Sequence, residues 1–125
     1  MKTDKVIYWV STTLISVMML FAGYAYFTNP MIKSAFIHLG FPDYFRLELA
    51  SAKILGSLAL ILPMIPLKIK EFAYSGFTIT FVSAIIAHIS SNDPIKVVAN
   101  PVIAFIILAV SYIYFLRIQK EGNTK

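Results

Sequence analysis

Residues 44–62 read YFRLELASAKILGSLALIL, a hydrophobic run that is interrupted by the ionisable residues Arg46, Glu48 and Lys53. A bilayer core about 30 Å thick is crossed by about 20 consecutive apolar residues in a helix, so this run has the length of a membrane span. An ionisable side chain near the centre of such a helix costs on the order of 2.5–3.5 kcal/mol on insertion scales. Such residues usually face a bundle interior or a water-filled cavity, which makes this run the first place to look for function.

Three further runs, at residues 6–27, 72–89 and 97–116, have a similar length and fewer charges. Hydrophobic residues make up 58% of the chain, more than a soluble domain of this size can bury. We therefore predict an all-α membrane protein whose residues 1–125 form a single domain, a bundle of four transmembrane helices. The short connections favour an up-down-up-down order. The first run is too long for the core of a signal peptide and no small-residue cleavage site follows it, so we expect it to be retained.

The basic residues predict the orientation of the bundle. With the N-terminus in the cytoplasm, most of the lysines and arginines outside the spans lie on the inner side, including Lys2, Lys5, Lys68, Lys70 and Arg117. The positive-inside rule therefore favours an N-in, C-in topology. Because these residues flank apolar runs and form no contiguous patch, nucleic acid is not an expected partner, whereas membrane lipid is.

The connection between the first two spans predicts a short helix in the outer interface. Asn29-Pro30 combines an N-cap residue with proline at the first helical position, and Gly40 provides a stop signal. The apolar residues between them recur at helical spacing. We interpret His38 as an interfacial residue of this segment, and we expect Asp43 to cap the second span.

Depth along the helices suggests a polar cluster in the outer half of the bundle. A rise of about 1.5 Å per residue places Lys53 roughly 13 Å below Tyr44, near the midplane, and Glu48 roughly 6 Å below it. His88 and Asn100 would reach the outer third of the membrane from the third and fourth spans. We predict that Lys53, Glu48, His88 and Asn100 bind a ligand there. Alternatively, Lys53 is a structural interior charge.

Two of these residues also have simpler interpretations. Glu48 could lie at the headgroup boundary or neutralise Arg46 or Lys53, and His88 could be an interfacial histidine whose hydrogen bonds are satisfied. Small residues favour close helix packing in lipid, and we expect the third span to pack through Gly76, Thr80 and Ala84.

Several kinds of chemistry are excluded or unsupported by the sequence. The chain has no cysteine, so it forms no disulfide, thiolate metal site or thiol relay. Its two histidines show no metal-ligand spacing, and we predict no metal site. Nucleophilic triads and nucleotide-binding loops are also missing, so catalytic residues are unknown and catalysis by this chain alone is not expected.

Several short motifs lie along the chain's spans and turns: Leu39-Gly40-Phe41-Pro42 followed by Tyr44, Lys53 with Leu55-Gly56, the Pro63/Pro66 turn, Lys70-Glu71-Phe72-Ala73-Tyr74, and His88 with Asp93. Together these motifs resemble those of the DoxX-like family of small bacterial four-helix membrane proteins. Phe72 stands where a tryptophan is expected, and Ser91-Asn92 replaces the usual glycine.

This resemblance implies a multi-pass protein of the bacterial inner membrane, in a group associated with quinone-linked oxidation of thiosulfate and with membrane redox complexes. The chain has no recognisable cofactor ligands of its own, so an oxidoreductase activity does not follow.

Three hypotheses for function remain. In the first, the bundle binds a quinone or a similar hydrophobic molecule as part of a redox assembly, with Lys53 or His88 bonded to a carbonyl oxygen and Glu48 exchanging protons. In the second, the same pocket binds or transports a lipid or another hydrophobic solute. In the third, the chain is a non-catalytic subunit whose charges set the helix register. Its partners would be redox-complex subunits or further copies of itself.

Overall fold

A computed structural model describes the backbone of residues 2–123 and the side chains of residues 2–120. This part of the chain is all-α, as predicted, and no β-strand occurs within it. It folds into the helices α1 (Lys2–Thr28), α2 (Pro30–His38), α3 (Asp43–Ile61), α4 (Leu67–Ser90) and α5 (Ile95–Asn123).

Each predicted span lies on one of the long helices, but three helices are longer than their apolar runs. α1 begins at Lys2, α4 begins at Leu67, directly after Pro66, and α5 continues to Asn123. The additional turns contain lysine, arginine, glutamine and glutamate, which are good helix formers. The hydropathy pattern therefore located the apolar parts of the helices, whereas helix propensity extended the helices beyond them.

Among the described residues, three helical segments are long and apolar enough to cross a membrane: Lys2–Thr28, Leu67–Ser90 and Ile95–Lys120. α3, with 19 residues, is long enough but carries Arg46, Glu48 and Lys53. Its membrane character therefore depends on where these charged side chains lie.

The four long helices form a closed ring. α1 packs against α3 and α5, and α4 packs against the same two helices. α3, α4 and α5 follow one another through short turns and pack as neighbours, so each runs antiparallel to the one before it. The contacts of Gly23 with Ala50 and of Met19 with Lys53 show that α1 also runs antiparallel to α3. α2 contacts only α1 and α3 among the helices and lies at the end of the ring where the α4–α5 turn is also found. We call this the α2 end.

The boundaries of α2 are those expected from the sequence. The Asn29 side chain accepts a hydrogen bond from the backbone N–H of Met31 at 2.9 Å, Pro30 follows it, and Gly40 has a φ of +84°. The expectation that Asp43 caps this helix was wrong. Pro42 occupies the N-cap position of α3, and the Asp43 side chain instead bonds Arg46 in the first turn.

Two glycines, Gly23 and Gly56, allow close packing between helices. A Cβ on Gly23 would lie 3.0 Å from the carbonyl oxygen of Ala50, and one on Gly56 would lie 2.8 Å from the Phe77 ring. A Cβ on Gly76 would meet open space. The prediction that α4 packs through Gly76 is therefore wrong, because α4 turns its aromatic residues Tyr74, Phe77 and Phe81 inward.

Candidate functional site

Lys53 is buried inside the ring, as its sequence context predicted. The buried residues of α3 recur every three or four positions, which is the period of one helix face, and they are Arg46, Ala50, Lys53, Ser57 and Leu60. This face meets α1 at Gly23, where the missing side chain lets the two backbones approach. Lys53 therefore lies on the side of its helix that faces α1 and is only 5% exposed.

The ammonium group of Lys53 has few polar contacts. Its Nζ lies 3.5 Å from the Met19 Sδ, which is a weak acceptor. It also lies 5.3 Å from the centre of the Tyr26 ring and 5.5 Å from the centre of the Phe81 ring. Both distances allow cation–π attraction, which compensates part of the cost of burying the charge. Within the described residues, no oxygen accepts a hydrogen bond from this amine. We call Lys53, Met19, Tyr26 and Phe81 the Lys53 site.

The other predicted ligand-binding residues do not join this site. Glu48 is exposed on α3, and Asn100 is exposed near the start of α5. Positions two residues apart on a helix differ by about 200° in direction, so burying Arg46 and Ala50 turns Glu48 outward. The prediction of one polar cluster is therefore wrong in its geometry: similar depth did not imply a shared face. Whether any of the four residues binds a ligand stays a prediction.

His88 belongs to a different cluster, at the α2 end. Its Nδ1 lies 2.6 Å from Oδ2 of Asp93, and the Nε2 of His38 lies 2.8 Å from Oδ1 of the same carboxylate. One aspartate on the α4–α5 turn thus bridges the end of α4 and the end of α2. The hydrogen bonds from His88 and then His38 hold the pKa of the Asp93 carboxyl below its usual value. The predicted role of His38 as a simple interfacial residue missed this contact.

The turn itself presents the Asp93 carboxylate to both imidazoles. The Asp93 N–H donates to the carbonyl of His88 at 3.0 Å, and Asn92 adopts a φ of 58°. Asparagine tolerates this left-handed conformation better than most residues, so it suits this position of the turn. The spacing of His88 and Asp93 was visible in the sequence, but the partner on α2 was not.

Arg46 is buried near the same end and supports the Lys53 site. Its guanidinium donates to Oδ1 of Asp43 at 3.1 Å and to the backbone carbonyl of Tyr26. That carbonyl lies in the last turn of α1, where no intrahelical donor is available. Arg46 therefore ties the end of α1 to α3 at the residue whose ring covers the Lys53 amine.

Lys70 is a second buried lysine, and its surroundings are different. It is 5% exposed, and its Nζ donates to the carbonyls of Ala59, Leu60 and Leu62 at 3.0, 2.8 and 3.0 Å. These carbonyls end α3, so Lys70 satisfies acceptors that the helix cannot. The sequence indicated only a cytoplasmic charge here. The turn between Pro63 and Pro66, which folds α4 back onto the end of α3, was the available signal.

Buried hydroxyl groups connect three helices in the half of the ring away from α2. The Ser111 hydroxyl bonds Thr12 at 2.6 Å and Tyr74 at 2.7 Å, which joins α5 to α1 and α4. One turn along α1 from Thr12, the buried Ser16 Oγ has no partner among the described residues. The first group fixes helix register, whereas Ser16 contributes an unused donor to the interior.

A lateral groove of about 280 Å³ lies between α3 and α4. It is lined mainly by apolar and small residues, and Lys53 is the one charged residue among them. Phe77 also lines this groove and stacks on Phe81, with ring centres 5.9 Å apart. The stacked Phe77 and Phe81 rings therefore reach from the groove to the Lys53 amine.

The long apolar helices and their ring arrangement define a multi-pass membrane protein. The model of the DoxX-like family matches residues 10–111, which is most of the chain, and the protein belongs to that family. No curated protein and no solved structure matches the chain. Membership of this family thus accounts for the architecture, whereas the function depends on the side chains of the site.

Proposed function

We propose that this protein binds a quinone, or a similar hydrophobic molecule with an acceptor oxygen, at the Lys53 site. One observation carries the proposal. The Lys53 amine is 5% exposed, yet its one polar contact in the described part of the chain is a thioether at 3.5 Å. A buried ammonium that lacks an oxygen partner is costly, and a ligand carbonyl would supply that partner. The Tyr26 and Phe81 rings would provide flat apolar surfaces for the rest of the molecule.

The membrane topology is part of the same proposal. We propose that α3 is a fourth span in the bacterial inner membrane, with both chain ends in the cytoplasm. The burial of Arg46 and Lys53 supports this, because it leaves Leu47, Leu55 and Leu58 among the exposed residues of α3. Glu48 would then lie near the outer headgroups. The positions of Lys68 and Arg117, at the end away from α2, agree with the positive-inside rule.

The proposed binding role needs fewer residues than the sequence suggested. Lys53 donates to the ligand, whereas Glu48 and Asn100 are too exposed to take part and His88 is engaged by Asp93. Since the chain has no cysteine, any electrons would have to pass to or from a partner, so we propose a role as a subunit of a redox assembly. The assembly could also contain further copies of this chain.

A structural role for Lys53 is the competing function, and the two aromatic contacts favour it. Cation–π attraction is worth about 0.5–2 kcal/mol, increasing as water is excluded. If Tyr26 and Phe81 satisfy the ammonium sufficiently, no ligand is needed and Lys53 only sets the register of α3.

Co-purification tests the proposal. The wild type, Lys53→Met, Lys53→Arg and the exposed-lysine control Lys68→Met would be purified from bacterial membranes, and bound quinone would be quantified by mass spectrometry. We expect Lys53→Met to retain at most about a tenth of the quinone bound by the wild type. This tenfold decrease corresponds to ~1.4 kcal/mol of binding free energy, whereas Lys68→Met should retain the wild-type amount. Lys53→Arg keeps a donor and should retain part of it.

Equal quinone in Lys53→Met and the wild type would overturn the binding role. No quinone in any sample, together with a lowered melting temperature for Lys53→Met, would favour the structural role. If another hydrophobic molecule co-purifies with the wild type and is lost only in Lys53→Met, the proposed site is correct and that molecule, not quinone, is its ligand.

A further inference from the structure

We propose that α2 is a movable cover over the Lys53 site and that the His38–Asp93–His88 cluster holds the C-terminal end of α2. This inference concerns access to the site and therefore rests on the proposed function. Its basis is a continuous series of contacts from α2 inward to the Lys53 amine, together with the small number of contacts that hold α2 in place.

The contacts pass from α2 through Tyr26 to Lys53. Phe36, the buried residue of α2, packs edge-to-face on the Tyr26 ring with their centres 5.3 Å apart. The Tyr26 ring in turn lies 5.3 Å from the Lys53 Nζ. Phe41 and Phe45 surround the other sides of Phe36, at 5.9 and 6.3 Å between ring centres. Lifting α2 would therefore uncover the ring that separates the amine from the α2 end.

The attachment of α2 is asymmetric. In the described part of the chain, its backbone packs against α1 and α3 and not against α4 or α5. Its C-terminal end is joined to the α4–α5 turn by the hydrogen bond between His38 and Asp93. The His38 side chain is 57% exposed, whereas Asp93 and His88 are 13% and 19% exposed. Water can therefore compete for His38, while His88 holds the carboxylate in place.

The two ends of α2 are suited to movement. Asn29 at one end has an extended backbone, and Gly40 at the other has a φ of +84° with open space where a side chain would be. Rotation about these residues would move α2 as a unit without breaking the ring of four long helices. Hinges commonly use a few loop residues of this type.

Thiol labelling tests this proposal, because the chain has no cysteine of its own. Lys53→Cys provides a single thiol at the site, and a small, charged methanethiosulfonate reagent added in water measures its accessibility. The labelling rate would be compared in this background with and without His38→Gln, His38→Ala or Asp93→Asn. Ser34→Ala changes another exposed residue of α2 and is the matched control for the His38 variants. Glu48→Cys gives the labelling rate of an exposed thiol on α3.

We expect removal of the His38 contact to raise the Lys53→Cys labelling rate by about tenfold. This factor corresponds to ~1.4 kcal/mol, which is typical of a hydrogen bond to a charged group. Ser34→Ala should leave the rate unchanged, and the Glu48→Cys rate should not respond to His38→Gln. His38→Ala and His38→Gln change an exposed residue, so they keep the test valid if Asp93→Asn disturbs the turn.

Equal Lys53→Cys labelling with and without the His38 contact would overturn the cover. The labelling uses no ligand, so its outcome is separate from that of the proposed function. Faster labelling in His38→Gln, combined with no loss of quinone in Lys53→Met, would support a movable α2 and reject the ligand.

Discussion

Lys53 and Lys70 are equally buried and both involve α3, but they lie in opposite chemical environments. Lys70 donates to three backbone carbonyls at the end of α3. Lys53, about two turns earlier in α3, faces a thioether and two aromatic rings. Burial of a charge is therefore not by itself a sign of function in this molecule. The informative quantity is the number of acceptors that the fold provides, which is sufficient for Lys70 and deficient for Lys53.

The largest expected effect is the loss of stability in Lys70→Met. The change removes three hydrogen bonds and leaves the final carbonyls of α3 without their donor. We expect the free energy of unfolding to fall by about 2–3 kcal/mol. Thermal unfolding in detergent measures this, with the exposed Lys68→Met as control. A melting temperature equal to that of the control would show that water, and not Lys70, satisfies these carbonyls.

The buried serines extend the comparison to neutral groups. Ser111→Ala leaves Thr12 and Tyr74 without a shared partner, so we expect a loss of about 1–2 kcal/mol. Ser16→Ala removes a hydroxyl that has no described partner and should be neutral or stabilising by up to about 1 kcal/mol. Parallel melting curves distinguish the two variants. A destabilised Ser16→Ala would indicate that Ser16 bonds a water or a ligand in the interior.

Lys53→Met should change stability less than Lys70→Met. Methionine is similar in length and apolar, and the two aromatic contacts that it loses are offset by relief of charge burial. We expect a change of less than about 1 kcal/mol, in either direction, measured in detergent after bound lipophilic molecules have been removed. A loss as large as that of Lys70→Met would assign Lys53 a structural role and remove the contrast between the two lysines.

The smallest effect is expected from acidification of the Asp93 cluster. Because the pKa of Asp93 is lowered in the folded protein, its stabilising contribution is complete above the ordinary aspartate value of about 3.9 and is lost as the pH falls through the lowered value. The stability difference between wild type and Asp93→Asn should therefore be present at pH 5 and disappear in strong acid. A difference that grows toward low pH would contradict this sign.

The sequence was informative where one segment determines the outcome. The predicted runs, the cap at Asn29-Pro30, the stop at Gly40 and the inward direction of Lys53 depend on local spacing and hydropathy, and the structure agrees with them. The predictions for Gly76 and for the Glu48, His88 and Asn100 cluster were wrong because they depended on how each helix is rotated about its axis. Depth along a helix is set by counting residues, but rotation is set by the neighbours against which the helix packs.

From its sequence alone, this protein is determined to be an all-α membrane protein of the DoxX-like type with an ionisable residue deep in its second long helix. These properties follow from hydrophobic length and residue order. Tertiary structure alone decided which ionisable groups find partners. It brought Lys70 to the end of α3 and joined His38 to Asp93, 55 residues away. It placed no described oxygen beside the Lys53 amine, because acceptors for a buried donor come from helices whose rotation and contacts the order of residues does not specify.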